Sequence, residues 1–419
     1  CLIAGVGKLP GGTYLKLERG KPLPSPMTWW DLDFSKRAKG SAADLAEELR
    51  FHLRNAVASR MVADLPVGAL LSGGAASATV VALMAERSAD AVQTCSIGFD
   101  EAALDETRQA QAVVARFATD HRSRIFAADD FSAIDALAGV FDEPFVDPSA
   151  HLTWRACQLA RETVTVTLTG DGADEAFAGH RRYQRIQTGE RIRRLFPAGL
   201  RQALSGYWPK AGWALSPDEA EAYARLASVI PEDVRLRPLS DAFQRGLQGH
   251  RAEDRYARAL QEAPAREALD RAQYADMKIG LPGNILTRID RAGMAAGLEV
   301  REPLLDHRLV EFAATLPVSM RIRRGEGKWL MKRAMRGHLP DDILYRPKKD
   351  FVTPVSAWFR GPLAALAEAL ATKSTLLETG WLQSDVLEKA VRDHKAGLTD
   401  NGRLIWQLVM LEKALNRVF

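Results

Sequence analysis

The sequence predicts an α/β protein: a parallel, doubly wound sheet followed by a mainly helical C-terminal half. Three observations carry this expectation. Short apolar or β-branched runs alternate with helix-like runs as far as about Tyr183, two of those apolar runs end in unusual glycine-containing loops, and strand signals fade beyond Tyr183.

The elements follow in order. Ser41 with Asp44 reads as a capping box, and Leu45, Leu49, Leu53 and Val57 recur every four residues, as one buried helical stripe requires. Val67 to Leu71 is a short apolar strand; Ser72, Gly73 and Gly74 make a turn; a helix-like run extends from Ser77 to Glu86. Val92 to Phe99 reads as a second strand, Asp105 to Phe117 as a helix and Arg122 to Phe126 as a weaker strand. Phe131 to Val140 and Thr153 to Glu162 read as helices, and Thr163 to Thr169 alternates Val and Thr, a strong strand signal. Helical runs then dominate, among them Pro217 to Ala227, Arg251 to Leu260 and Leu363 to Leu370. The expected division is 1–40 as a linker, 41–185 as an α/β part and 186–419 as a mainly helical part completing the same site.

Composition narrows the function classes. The 419 residues are 47% hydrophobic and 26% charged, an ordinary globular profile, and 57 Lys and Arg against 53 Asp and Glu leave a net charge of only +4. No global charge therefore argues for nucleic acid or an anionic membrane as the main partner. Cys1, Cys95 and Cys157 are far apart with no C-x-x-C spacing, so no disulfide scaffold or zinc motif is evident, and a reducing cytoplasm fits best. Leu65 to Ala85 carries no charge, but Pro66, Gly68, Ser72, Gly73, Gly74 and Ser77 break it up, so strand, turn and helix explain it better than a membrane span. The chain opens on Cys1 rather than Met and reads as a fragment; Pro10, Gly11 and Gly12, then Lys21 to Pro26, read as linker, which weighs against Cys1 as an N-terminal nucleophile.

Ligands of open parallel sheets bind at the carboxyl ends of the strands, and two loops leave such ends. In Leu70-Leu71-Ser72-Gly73-Gly74-Ala75-Ala76-Ser77, glycines would let backbone N–H groups approach phosphate at a helix N-terminus, although the Gly-Lys-Ser/Thr ending of a Walker loop is missing. Standing alone, this loop reads more readily as a tight turn without ligand. Thr169-Gly170-Asp171-Gly172-Ala173-Asp174-Glu175 places three carboxylates within five residues, a composition suited to Mg²⁺ bridging to phosphates or, in the plainer reading, a solvated turn with a helix cap.

Together the loops resemble the pyrophosphatase-loop ATP-binding fold, of adenine nucleotide alpha hydrolase type, in the synthetase domain of glutamine-dependent asparagine synthetases. The closest flavour is the amidotransferases associated with bacterial exopolysaccharide and exosortase gene clusters. The resemblance continues through Asp142-Glu143-Pro144-Phe145, Ala178-Gly179-His180-Arg181-Arg182-Tyr183, the run from Arg288 through Asp290-Arg291 and Leu298-Glu299-Val300-Arg301 to Asp306, Lys328-Trp329-Leu330-Met331-Lys332, and Arg346-Pro347-Lys348. It implies that Leu70, Ser72, Gly73, Gly74 and Ser77 hold ATP, with Ile97 near the adenine and Thr169 and Gly170 closing over the nucleotide. It further implies Mg²⁺ on Asp174, Asp171 and Glu175 around the reacting carboxyl, and Lys348 offsetting charge as an acyl-adenylate forms and reacts. Glu299 and Arg301 are implied for the acceptor pocket.

The sequence departs from the family pattern at three places. Ala76 stands where the family carries Asp, Lys349-Asp350-Phe351 stands where relatives tend to have an apolar residue and Gly before Phe, and no N-terminal glutaminase opens the chain. The leading expectation is ATP-dependent amide-bond formation on a small or polymeric carboxylate acceptor, with ammonia or an amine as donor, supplied by a glutaminase domain or subunit or from another source. The acceptor and a homo-oligomeric state stay open. Ala76 motivates an alternative, a catalytically silent nucleotide-binding homologue. The arginine-rich run from His180 to Arg201 motivates a third, a tRNA-modifying ligase, against which stands the absence of a basic domain or zinc-like cysteine set.

Overall fold

A computed structural model of the chain describes residues 3–101, 105–127, 130–132, 134–207, 212–216, 218–346 and 353–418. Two short strands, β1 (Thr13–Tyr14) and β2 (Met27–Thr28), pair antiparallel near the start. The segment after them is anchored, because Leu32 and Phe34 are buried against Tyr274, Val310 and Ala314. The centre of the molecule is a parallel sheet of β3 (Val67–Leu70), β4 (Gln93–Phe99), β5 (Asp120–Phe126), β6 (Val166–Leu168) and β7 (Glu299–Arg301), in the order β5-β4-β3-β6-β7. The α/β expectation and the helical second half are both observed.

Helices cover both faces of the sheet. Helix α1 (Ala42–Arg60) starts with the expected capping box: Ser41 Oγ accepts from Ala43 and Asp44 N–H, and the Asp44 carboxylate accepts from Ser41 N–H. Its Leu45, Leu49, Leu53 and Val57 stripe is fully buried. Helix α2 (Ala75–Ala85) is buried from Ser77 to Met84, which explains its lack of a polar face. Together with α3 (Thr107–Phe117), these helices enclose a cluster containing Ala69 and Leu71. The intervening Leu70 packs with Ile97, Cys95, Cys157 and Leu159 in a separate cluster, beneath α5 (Ser149–Arg161), which follows α4 (Ile134–Val140). The alternation of Ala69, Leu70 and Leu71 is the period of two that puts successive side chains on opposite faces. At the sheet edge, β5 is mostly exposed and carries Arg122 and Arg124, which discourages pairing with another chain.

Element boundaries moved by a few residues from expectation, as at α5, which begins at Ser149 rather than Thr153. The short pair β1 and β2 and one strand of the central sheet were not anticipated. The second half contributes β7, whose three residues Glu299, Val300 and Arg301 carry too little apolar pattern to signal a strand and are ordered by pairing with Val166, Thr167 and Leu168. The sheet thus draws its last strand from beyond residue 186. Two cysteines are free and buried, and burial pushes both thiols, Cys95 and Cys157, up to about 12. No helix of the described residues is long and apolar enough to cross a membrane.

Candidate functional site

Strand order fixes where a ligand can enter. The chain runs outward from β3 through β4 to β5 on one side, then from β6 to β7 on the other, so the topological switch lies between adjacent β3 and β6. The loops leaving those two strands are the two singled out by composition, and a crevice forms at such a switch point. They line a cleft of about 1230 Å³ that extends over the helical half.

The first loop is shaped by close approach. Gly73 has φ +70°, and a Cβ there would lie 2.5 Å from the Gln109 carbonyl carbon and 2.6 Å from the Ala110 nitrogen, so both conformation and space call for glycine. Ser72 Oγ and Ser77 Oγ are 3.1 Å apart, and Ser77 also donates to the Gly74 carbonyl at 3.2 Å, tying the loop into a closed turn. Gly74 caps α2 without a side chain, which leaves the N-terminal end of this buried helix facing the cleft. Such an end favours an anion.

The second loop rests directly on the first. A Cβ on Gly170 would lie 2.6 Å from Ser77 N, 2.8 Å from Ala76 C and 3.0 Å from Ala76 Cβ. Thr169 is pinned by accepting β7 as a neighbour: its N–H donates to the Arg301 carbonyl at 3.0 Å, and its Oγ1 accepts from Asp171 N–H at 3.3 Å. The short helix α6 (Ala173–Ala176) then presents the acidic residues.

The three carboxylates do not gather into one cluster; each faces its own nitrogen-bearing partner. Asp171 Oδ1 lies 3.6 Å from an Arg288 nitrogen, and Asp174 Oδ1 lies 3.0 Å from Lys328 Nζ. Glu175 is 1% exposed and hydrogen-bonds the His180 ring at 2.5 Å. Burial pushes the Glu175 carboxyl up, but the hydrogen bond and charge of His180 prevail and hold it below its ordinary range. His180, in turn, lines the cleft. Among the described residues no group of three or more His, Cys, Asp or Glu could hold a metal by itself.

Of the residues expected at the site, Leu70, Ser72, Gly74, Ser77, Ile97, Thr169, Gly170, Asp171, Asp174 and Glu175 line the cleft, and Gly73 lies behind its wall against α3. Glu299 does not line it. That residue is exposed at the start of β7, the wrong end of the sheet, where its carboxylate accepts from Arg301 at 2.7 Å; Arg301 also donates to the Arg60 and Val62 carbonyls, each at 2.8 Å. The pair thus bolts β7 to the end of α1. Lys348, with Lys349 and Phe351, lies outside the described residues; Arg346, two residues earlier, lines the cleft and pairs with Glu106 at 2.8 Å. The arginine-rich helix α7 (Arg181–Leu195) spends part of its charge locally, on Asp276 from Arg182 at 2.8 Å and on Glu190 from Arg194 at 2.6 Å.

Lys328 is a residue that the sequence did not single out by itself. It sits in the left-handed region with φ +57°, as does Ala178 opposite, and its N–H donates to the Phe177 carbonyl at 2.9 Å. Gly179 and Gly327 admit this contact: a Cβ on Gly179 would meet Lys328 Cε at 2.3 Å, and one on Gly327 would meet the Ala178 carbonyl oxygen at the same distance. Two residues in the left-handed region are thus held face to face beside Asp174. The glycine spacing of Gly325-Glu326-Gly327-Lys328 is the signal that would have found it.

Comparison with known proteins agrees with this geometry. The asparagine synthase family model matches residues 48–416. The chain belongs to that family. It is 26% identical over 376 residues to asparagine synthetase [glutamine-hydrolyzing] 1 of Bacillus subtilis (strain 168), covering 87% of this chain and 58% of that protein. It is 28% identical over 439 residues to a putative asparagine synthetase [glutamine-hydrolyzing] of Mycobacterium bovis, covering 97% of this chain and 63% of that protein. A putative asparagine synthetase [glutamine-hydrolyzing] 2 of Methanocaldococcus jannaschii is 45% identical over 138 residues, 32% of this chain and 27% of its own. The chain therefore spans about three fifths of the first two relatives.

Proposed function

We propose that the cleft performs ATP-dependent amide-bond formation through an acyl-adenylate. The observation that supports this most directly is the uncapped N-terminus of α2, closed over by Gly170 at the switch point, with Asp174 and Lys328 beside it. Leu70 and Ile97 form an apolar seat for the adenine, and the N–H groups of Gly74 and the start of α2 cradle the phosphates, with Gly73 shaping the turn behind them.

An acceptor carboxylate oxygen attacks the α-phosphorus; the bond from that phosphorus to the bridging oxygen breaks, and pyrophosphate leaves. An amine then attacks the acyl carbon, the bond to the AMP oxygen breaks, and the proton released by the amine passes to Asp171. Lys328, together with Lys348, offsets charge on the departing pyrophosphate. Mg²⁺ fits through the single carboxylate of Asp174, because this ion keeps waters and takes further oxygens from phosphates, and it would supply charge neutralisation there. Glu175, buried on His180, fixes that ring rather than meeting substrate. The amine is ammonia released by a glutaminase, as the glutamine-hydrolysing relatives suggest, or an amine from another source.

A second reading, nucleotide binding without turnover, rests on Ala76, which lines the cleft without offering an oxygen. Pyrophosphate exchange into ATP with a broad panel of carboxylic acids tests both. Measurable exchange, raised by Ala76→Asp, supports synthesis; tight ATP binding with no exchange in either form supports the silent reading; no ATP binding in either form overturns both.

A further inference from the structure

The wall of the cleft opposite the acidic loop is made by an unusual helix. From Asp276 to Leu286 the chain is π-helical, with Pro282 inside it, and it continues as the α-helix Thr287–Ala295. The Gly280, Gly283 and Asn284 positions of the wide turns line the cleft, as does Arg288 one turn further on. Residues four apart share a helix face.

Among the described residues, Arg288 is hydrogen-bonded on one side. Its Nη1 donates to Ser149 Oγ at 2.7 Å and lies 3.5 Å from Asp147 Oδ2. Its Nη2 approaches Asp171 Oδ1 only to 3.6 Å, too long for a hydrogen bond, and its buried Nε has no hydrogen-bond partner among the described residues. The Nε–Nη2 edge of a fixed guanidinium is the edge that binds a carboxylate through two parallel bonds. One turn earlier, the buried Asn284 Oδ1 is also without a partner among the described residues. A buried donor, Arg288 Nε, and a buried acceptor, Asn284 Oδ1, both on residues lining the cleft and both unsatisfied among the described residues, cost stability unless a ligand completes them.

From this we infer that Arg288 binds the carboxylate of the acceptor and that Asn284 accepts a hydrogen bond from a neutral donor near it. The acceptor class is then a hydroxylated or amide-bearing carboxylic acid, such as a sugar acid or an N-acylated amino acid, rather than a simple acid or a free amino acid. Asn284 offers a dipole and no charge, and the guanidinium one turn away opposes a second cation, so a hydroxyl or amide N–H suits the position better than an ammonium. The cleft, at about 1230 Å³, has room for an acceptor of this size beside a nucleotide. The inference rests on the proposed synthetase reading, in which this face holds the group to be activated.

Ligand-observed NMR on the chain, with galacturonate, N-acetylglycine, propionate and aspartate as probes, tests it without requiring turnover. Galacturonate or N-acetylglycine is expected to bind roughly tenfold more tightly than propionate and aspartate. Arg288→Gln weakens all acids roughly tenfold or more, with Arg288→Lys intermediate. Asn284→Ala, at a side-chain oxygen without a hydrogen bond among the described residues, preserves folding, removes the preference over propionate and leaves propionate itself unchanged. Binding of none of the four acids, equal binding of all four, or indifference to Arg288→Gln in a folded protein overturns the inference; so does an equal loss for every acid in Asn284→Ala. Calorimetry with ATP separates the two ideas: Arg288-dependent acid binding in a chain that ignores ATP sinks the synthetase reading and leaves this one standing.

Discussion

Replacing Gly170 by Ala tests whether the two loops form one seat. The added methyl would meet backbone, Ser77 N at 2.6 Å and Ala76 C at 2.8 Å, with no flexible side chain able to yield. Ordinary van der Waals contact begins at roughly 3.4 Å, so the loops must part by about 0.6 to 0.8 Å, a change of the kind that costs about 1–3 kcal/mol in a packed interior. Since φ at Gly170 is not positive, the whole cost is steric. If α2 yields, the cost falls on its N-terminal end, and ATP affinity drops by about 5- to 150-fold; if the fold resists, the cost appears as a lowered melting temperature. Calorimetric titration with Mg-ATP and thermal melting, read together, capture both. The control is Gly199→Ala, in the helix Ala198–Tyr207, where a Cβ meets nothing within 4 Å and helix propensity is expected to improve. A Gly170→Ala protein that melts with wild type and binds ATP equally well would refute the seat.

Three further expectations use the same structure. Lys328→Met removes the partner 3.0 Å from Asp174 and is expected to weaken ATP binding by roughly tenfold while leaving the melting temperature nearly unchanged, since relief of the left-handed strain is not part of the change; calorimetry and melting check it. Glu302, just after β7, has its carboxyl lifted to about 7 by burial and then by the neighbouring charge of Asp171. Because the folded state prefers the protonated form, this stabilisation is complete below about 4.5 and is lost as pH rises to about 7; Glu302→Gln is therefore expected to match wild type at pH 4 and exceed it at pH 8 by up to roughly 3 kcal/mol in denaturant titrations. Fully buried Arg321 donates to Asp270, which Arg37 also pairs with, and to Gln273, whose amide donates to the Ala176 carbonyl at 3.2 Å, so Arg321→Met leaves Asp270 with one cation instead of two and Gln273 Oε1 without its donor, and is expected to cost about 1–3 kcal/mol by chemical denaturation.

The parts of the fold that were legible in the sequence are those with local causes. The α1 stripe and its Ser41 cap, the apolar β3 and the Val-Thr alternation of β6 each carry their period or cap within a few residues, and the loops after β3 and β6 announced themselves by composition. What was not legible depends on distant partners. Strand β7 exists through its pairing with β6, the π-helical wall carries Pro282 and two glycines that read as a break, and the role of Lys328 arises from contact with Ala178 and Gly179. Likewise, spacing alone suggested one acidic cluster, whereas Arg288, Lys328 and the His180 ring divide Asp171, Asp174 and Glu175 among themselves.

The late arrival of β7 bears on how the chain is born. Until Glu299–Arg301 has left the ribosome, β6 is an open edge, and the N–H of Thr169 lacks the Arg301 carbonyl that fixes the start of the acidic loop. A nascent chain that has already completed β3 through β6 therefore presents an unfinished sheet for the time needed to translate the residues between Leu168 and Glu299, at roughly 5–20 residues per second. The loop after β6 is thus among the last parts to mature, and stalls or truncations between β6 and β7 leave this strand edge open to misassembly.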